Sequence, residues 1–214
     1  MLDLGLKFTL AYFLGGVMGA LVIGALRGGI DIRQMGSGNA GGTNALRTQG
    51  RAFAAGVMLV DIGKGILAVA VIPGLSLPFV AADPIVDPAL LLHTVALGAI
   101  LGHVFPIWYE FRGGKGGATA AGLLCYLAPT LALPIIGLWL ALVFFTGYVG
   151  LATISATSAA AVYLGIFALP EAKALFVFAC LVALLTIYTH RSNIQRMWRG
   201  EESHFGRFFG LGSK

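Results

Sequence analysis

Residues 118–170 form a run of 53 residues that contains no Asp, Glu, Lys or Arg. A soluble globular domain carries about one charged residue in four, so a run of this length is foreign to such a domain. Across all 214 residues, 58% are hydrophobic and 11% are charged. A soluble protein of this size lacks the interior to bury so much apolar surface. The sequence therefore predicts an integral membrane protein and excludes a soluble domain, a coiled coil and a disordered chain.

Seven apolar segments follow one another along the chain. They are 8–26, 52–72, 89–108, 118–133, 134–150, 151–169 and 172–189. A crossing needs about 20 apolar residues, and backbone groups in hydrocarbon must be paired within their own segment. The prediction is therefore an all-α, seven-transmembrane bundle in a single domain, residues 1–214. Pro129, Pro134 and the turn 146–148 are the expected breaks in the charge-free run.

The distribution of Lys and Arg predicts the orientation. Eleven of the 14 lie around the first loop, after the third segment or in the tail: Arg27, Arg33, Arg47, Arg51, Arg112, Lys115, Arg191, Arg196, Arg199, Arg207 and Lys214. Basic loops stay in the cytoplasm, so we expect the N-terminus outside and the C-terminus inside. The first segment carries its positive charge after the apolar run, which favours a retained helix over a signal peptide.

The first glycine-rich stretch is GSGNAGGTNALR at 36–47. Its glycines let the backbone approach a ligand and turn successive amides toward an anion. The candidate ligands are Gly36, Ser37, Gly38, Asn39, Gly41, Thr43, Asn44 and Arg47. A flexible turn between helices is the alternative, but a plain turn does not need so many Asn, Ser and Thr residues. We therefore interpret this stretch as an anion site.

The second stretch combines GHVFP at 102–106 with FRGGKGGAT at 111–119. Gly116 follows Lys115 where a Walker A motif has Ser or Thr, so the stretch is not a P-loop. Glycine amides and one lysine still meet at the start of the fourth predicted helix, whose N-terminus favours an anion. The candidates here are His103, Gly113, Gly114, Lys115, Gly116 and Thr119. A basic interfacial anchor is the alternative.

The third stretch begins with HRSNI at 190–194 and continues to Glu202. His190 and Asn193 are three residues apart and share one helix face, which suits a polyol or a phosphate. We interpret Arg196 and Arg199 as positive-inside anchors.

Two charged residues, Asp61 and Lys64, lie inside the second segment. Charges within a membrane are costly and usually functional, but a mutual ion pair that braces the bundle explains them equally well. His93 is expected to be a satisfied interior histidine. No metal-ligand spacing and no cofactor motif is found in the sequence.

These stretches resemble the motifs of the bacterial acyl-phosphate–glycerol-3-phosphate acyltransferases (PlsY). That family has sequences close to GSGNxGATNVLR, GHxFPxFxxFxGGKGVAT and HRxNI, the last followed by a glutamate and a glycine, here Glu202 and Gly206. An LDxxKG stretch resembles residues 59–65, and a TRYVS turn resembles 146–149. Gly42, Gly117 and Gly147 depart from the family pattern, and Gly147 removes a charge that the family often has.

The resemblance implies acyl transfer from a fatty acyl phosphate to the sn-1 hydroxyl of glycerol 3-phosphate, at the cytoplasmic face of the bacterial inner membrane. It implies a monomer that uses no cofactor or metal and binds no nucleic acid. Ser37, His103 and Lys115 would be catalytic. Lys115, Arg47, His190 and Asn193 would hold glycerol phosphate. The proton acceptor stays open between His103, His190 and a substrate phosphate. A transporter of organic anions or a membrane scaffold is the rival.

Overall fold

The structure is a computed structural model, and it describes residues 1–204. Gly206, Arg207 and Lys214, which entered the sequence predictions, lie outside the described residues. Residues 1–204 form ten α-helices and no β-strand. The helices are α1 (Leu2–Gly15), α2 (Gly19–Leu26), α3 (Gly42–Gln49), α4 (Arg51–Val71), α5 (Pro88–Val104), α6 (Gly117–Leu127), α7 (Pro129–Thr146), α8 (Val149–Phe167), α9 (Lys173–Thr189) and α10 (Arg191–Trp198). The prediction of an all-helical chain is confirmed.

The first predicted segment is a broken helix. α1 and α2 meet at an angle of 44° across residues 16–18. Gly16 ends α1, and the amide of Leu21 donates to the carbonyl of Met18 at 3.0 Å. At the break, a carbonyl and an amide therefore lack the backbone hydrogen bonds that a continuous helix would give them.

The boundary predicted at Pro134 is wrong. α6 ends at Leu127, and α7 begins at Pro129 and runs through Pro134 to Thr146. A proline at the first helical position is preorganised for a helix, so Pro129 starts one. Pro134 removes one hydrogen bond, but an apolar segment has no better alternative to the helix. The break at 146–148 is confirmed, because Gly147 takes the left-handed conformation, φ 71°, between α7 and α8.

Apolar helices of membrane-spanning length are present. Four are long enough to cross a membrane, and the bent pairs α1–α2 and α9–α10 raise the number to six. α6 is apolar but has only 11 residues, which rise about 16 Å. The hydrocarbon core is about 30 Å thick. The chain is therefore a multi-helix membrane protein, and helix length alone leaves α6 short of a full crossing.

The chain divides into two compact units, Met1–Leu127 and Ala128 onward. In the first unit, α1 packs on α5 and α4 packs on α6. Glycines stand where these helices touch, because a Cβ at Gly102 would collide with the carbonyl of Tyr12 and one at Gly122 with that of Ile62. Membrane helices use such small residues to bring backbones together. In the second unit, α8 packs on both α7 and α9.

Candidate active site

The stretch 36–47 forms an exposed turn followed by α3. Gly36 and Gly38 adopt left-handed φ values of 58° and 72°, a conformation that glycine takes without strain. The turn places Ser37 in the open, with Asn39 and Thr43 half-buried. Arg47 is half-buried in the last turn of α3. The stretch therefore presents a hydroxyl, an amide and a guanidinium close together along the chain.

Asn44 shapes this turn from inside. Its side chain is 1% exposed. Its Nδ2 donates to the carbonyls of Ile32 at 2.9 Å and Met35 at 3.0 Å, and its Oδ1 accepts from the amide of Ser37 at 3.0 Å. The carboxamide thus bonds to three backbone groups in and before the stretch, which the sequence did not predict. Asn44 holds the loop that carries Ser37.

Asn44→Ala is expected to lower the free energy of unfolding by about 1–3 kcal/mol, because it leaves buried backbone partners unsatisfied. The loop that carries Ser37 would loosen with it. Thermal unfolding of the purified protein in detergent measures the loss. The matched control is Gln49→Ala, since Gln49 is an amide on the same helix whose Nε2 contacts only the sulfur of Met35, at 3.3 Å, in an exposed position. Equal stability of the two variants would contradict the structural role of Asn44.

The second stretch folds back on the end of α5. The amide of Gly113 donates to the carbonyl of Val104 at 3.2 Å, and that of Gly114 donates to the carbonyl of His103 at 3.1 Å. Lys115 follows half-buried. Gly116 has φ 88°, and α6 begins at the next residue. The lysine therefore stands just before a helix N-terminus, as predicted, where amides and the helix dipole favour an anion.

Thr119 lies in the first turn of α6. It is fully buried, and its Oγ1 has no hydrogen-bond partner among the described residues. A Cβ on Gly65 would contact both the carbonyl and Cγ2 of Thr119. Thr119 therefore packs against α4 as well as standing at the helix start.

Three buried ionisable side chains meet between α4 and α5. The Nζ of Lys64 lies 2.9 Å from Oδ1 of Asp61 and 2.8 Å from Nδ1 of His103. Their exposures are 5%, 1% and 2% in that order. The mutual ion pair, one of the two alternatives that the sequence left open, is present. The third partner, His103, was not foreseen, because a spacing on one helix says nothing about what a second helix presents to it.

The Asp61–Lys64 pair also forms hydrogen bonds with backbone groups at the break between α1 and α2. Nζ of Lys64 donates to the carbonyl of Val17 at 2.7 Å, and Oδ1 of Asp61 accepts from the amide of Gly19, the first residue of α2, at 3.1 Å. A cation thus faces the carbonyl end of α1, and an anion faces the amide end of α2. Both charges have the sign that the helix dipoles favour.

Residues that flank the two glycine-rich stretches are in contact. The guanidinium of Arg33 lies 5.1 Å above the ring centre of Tyr109. Arg33 also pairs with Asp31, and this side-chain hydrogen bond lowers the pKa of Asp31 below its ordinary value. Tyr109 packs against a buried cluster of Met18, Ala20, Ile32, Ala40, Ala45, Phe53, Ala54 and Val57. One core therefore supports both stretches in the first unit.

The second unit holds the remaining candidates. His190 stands between α9 and α10, buried, with Nδ1 2.9 Å from the carbonyl of Thr186. Nδ2 of Asn193 donates to Oε1 of Glu202 at 2.8 Å, and Nε of Arg196 donates to Oε2 of Glu202 at 2.6 Å. Interpreting Arg196 only as an anchor was therefore incomplete, since it holds Glu202. In the first unit, Nδ1 of His93 lies 2.6 Å from the carbonyl of Ala89 on the same helix, α5.

Gly147, between α7 and α8, lies beside His204. A Cβ on Gly147 would come within 2.9 Å of Nδ1 of His204, and the ring of His204 packs on Tyr148 at 4.5 Å between centres. An imidazole therefore stands next to the position whose departure from the family pattern was noted in the sequence.

Comparisons with known proteins agree with one another. A model of the family described as glycerol-3-phosphate acyltransferase matches residues 6–200. The glycerol-3-phosphate acyltransferase of Rhizobium meliloti strain 1021 is 39% identical over 209 residues, 95% of this chain and 96% of its own length. That of Pelodictyon phaeoclathratiforme strain DSM 5477 / BU-1 is 36% identical over 233 residues, 97% and 99% of the two chains.

Two solved structures are similar over almost the whole chain. One is the crystal structure of PlsY (YgiH), an integral membrane glycerol 3-phosphate acyltransferase, in its glycerol 3-phosphate form. It is 31% identical with a TM-score of 0.82, covering 98% of this chain and 99% of that one. The lysophosphatidic acid form of PlsY gives a TM-score of 0.79 at 31% identity, covering 95% of each chain.

Proposed function

This chain belongs to the glycerol-3-phosphate acyltransferase family, and from that premise we propose that it transfers a fatty acyl group from an acyl phosphate to the sn-1 hydroxyl of glycerol 3-phosphate. The products are lysophosphatidic acid and inorganic phosphate. The observation that carries the proposal is the pair of glycine-rich loops, each with a basic side chain, supported by one core in the first unit. Both substrates carry a phosphate group, and glycine amides with a basic side chain are groups that bind phosphate.

The chemistry asks little of the protein beyond placement and charge. The hydroxyl oxygen attacks the acyl carbon, the bond from that carbon to the bridging phosphate oxygen breaks, and the hydroxyl proton goes to a base. Because phosphate is already a good leaving group, the main tasks are to align two anions and to neutralise the departing one. We assign the neutralisation to Arg47 and Lys115. Ser37 and the amides of the 36–41 turn would bind the donor phosphate and the reacting carbonyl.

Hydrogen bonding separates the two candidate histidines. A carbonyl only accepts, so Nδ1 of His190 donates to Thr186 and the lone pair of the ring is on Nε2. A lysine ammonium only donates, so Nδ1 of His103 accepts from Lys64 and the ring proton is on Nε2. We therefore keep His190 and the substrate phosphate as candidate proton acceptors and assign no proton transfer to His103. Asn193 would contact the polyol.

For the topology, we propose seven crossings with the N-terminus outside, the C-terminus in the cytoplasm and the site at the cytoplasmic face of the inner membrane. Four long helices, the two bent pairs and α6 supply the seven. The positive-inside rule then requires the loop with Arg112 and Lys115 to lie in the cytoplasm. We further propose that the protein works as a monomer and as a single domain, without a metal or a cofactor.

A transporter of organic anions is the rival function. A transporter would need polar groups inside the membrane that are available to a passing anion. Lys64, the intramembrane cation, directs its three protons to Asp61, His103 and Val17. These contacts favour the enzyme.

The deciding experiment uses the full chain purified in detergent. We expect phosphate release from palmitoyl phosphate only when glycerol 3-phosphate is present, with 1-acyl lysophosphatidic acid as the product by mass spectrometry. Palmitoyl coenzyme A serves as the competing donor. Turnover with the thioester and none with the acyl phosphate would refute the proposed donor. No turnover with either donor, from a folded sample, would refute the acyltransferase itself.

A further inference from the structure

We propose that His103 is a positioning residue: the Asp61–Lys64 pair fixes its neutral ring against Gly114, and the ring in turn sets the loop that carries Lys115. The inference rests on the proposed function, because it concerns the phosphate loop of that reaction. It assigns a role to three buried groups that the acyl-transfer chemistry itself does not use.

Hydrogen bonds hold the imidazole ring of His103 in one position. Three acceptors surround Nζ of Lys64: Oδ1 of Asp61 at 2.9 Å, Nδ1 of His103 at 2.8 Å and the carbonyl of Val17 at 2.7 Å. An ammonium has three protons, so each acceptor receives one. The direction from Lys64 to Nδ1 of His103 is therefore set by the two other bonds. Burial of all three side chains keeps water from competing for these protons.

The ring of His103 also contacts the loop that carries Lys115. A Cβ built on Gly114 would fall on Nε2 of His103, so the ring edge lies directly against the Cα of Gly114. The amide of Gly114 also donates to the carbonyl of His103 at 3.1 Å. Backbone and side chain of one residue thus hold the same glycine, and Lys115 is the next residue in the chain. A displacement of the ring is a displacement of this loop.

The Asp61–Lys64 pair differs from an ion pair that only stabilises the fold. The chain has a second buried intrahelical ion pair, Lys7 with Asp3 at 3.0 Å, in which Lys7 also donates to the carbonyl of Pro73. Pro73 lies in none of the three glycine-rich stretches. The Asp61–Lys64 pair differs from it by its contact with His103. An outer partner that orients a binding group through one intermediate side chain is a recurrent arrangement in functional sites.

The test compares His103→Leu with His103→Gln in the phosphate-release assay. Leucine fills the space but cannot accept from Lys64, whereas glutamine can accept from Lys64 and reach toward Gly114 without a titrating nitrogen. A misplacement of reacting groups by about 1 Å costs about 10²-fold in rate. We expect His103→Leu to lower kcat/KM by about that factor, mostly through kcat because Lys115 neutralises the departing phosphate, and His103→Gln to come back to within about fivefold of the parent.

The matched control is His93→Leu. His93 lies on the same helix, with Nδ1 2.6 Å from the carbonyl of Ala89, and it belongs to none of the three glycine-rich stretches, so we expect parental activity from His93→Leu. The thermal midpoints of all three variants, measured in the same detergent, show whether each is folded. If His103→Leu does not fold, the kinetics of His103→Gln are compared with those of the parent. Parental activity then supports the inference, and an inactive His103→Gln variant overturns it.

Two results would overturn the inference. A His103→Gln variant as inactive as a folded His103→Leu would mean that the ring supplies a titrating nitrogen. A His103→Leu variant with parental kinetics would mean that the ring does not set the loop. An inactive parent is a failure of the proposed function and is scored separately: binding of inorganic phosphate by calorimetry then compares the same variants, with weaker binding by His103→Leu expected and equal binding overturning the inference.

Discussion

Lys115→Ala should reduce turnover of acyl phosphate and glycerol 3-phosphate by at least about 10²–10³-fold, which is the usual effect of removing one group that stabilises developing negative charge. Lys115 stands two residues before α6 and directly after the glycine pair that is hydrogen-bonded to the end of α5. The residue is therefore close in the chain to the first amides of α6, which carry the positive end of the helix dipole. No other basic side chain occurs between Arg112 and α6 to replace it.

The control for this variant is Lys173→Ala. Lys173 is an exposed lysine at the start of α9, also next to a helix N-terminus, but it belongs to no glycine-rich motif. We expect the control to keep parental turnover, and both variants to unfold at the temperature of the parent. Substantial turnover by a folded Lys115→Ala variant would remove Lys115 from the mechanism. Lys115→Arg is expected to recover little, because a planar guanidinium does not reproduce a compact point charge.

Gly102→Val should strongly destabilise the first unit. A Cβ at Gly102 would collide with the backbone carbonyl of Tyr12, and backbone cannot move aside as a side-chain tip can. Overpacking of this kind costs about 1–3 kcal/mol, and at this position α1 and α5 would separate next to His103. We therefore expect a lower thermal midpoint together with a loss of activity.

The comparison for Gly102→Val is Gly63→Val. Gly63 lies inside α4, and a Cβ there would meet nothing within 4 Å, so the same change in helix propensity occurs without a collision. The difference between the two midpoints isolates the cost of pushing the helices apart. Equal midpoints would contradict the close contact of α1 and α5.

The parts of this protein that the sequence predicts are those governed by local chemistry. Apolar run length predicts helices in lipid, and glycine with Lys115 predicts an anion-binding turn before α6. The wrong boundary at Pro134 has a clear reason: a proline ends a helix in water more readily than in hydrocarbon, where the backbone has no other partner. The 44° bend between α1 and α2 was missed for a related reason, since it depends on groups supplied by α4.

Contacts between distant residues account for the rest of what was missed. The sequence predicts Asn44 as a candidate ligand but does not reveal its hydrogen bonds to backbone groups of Ile32, Met35 and Ser37. Its role is visible only once the loop is folded. Arg196 looks like one more membrane anchor until Glu202 is seen to accept from it. In both cases the residue type predicts the kind of interaction, and only the fold identifies the partner.

The break in the first span has a consequence for how this protein is assembled. The carbonyl of Val17 and the amide of Gly19 are satisfied by Lys64 and Asp61 of α4, which is made later on the ribosome. Until α4 has entered the bilayer, hydrocarbon offers these two groups no partner. We therefore expect the stretch 2–26 to take its bend only once α4 packs against it. Biogenesis of this site accordingly has an order, in which the arrival of the second apolar segment reshapes the first.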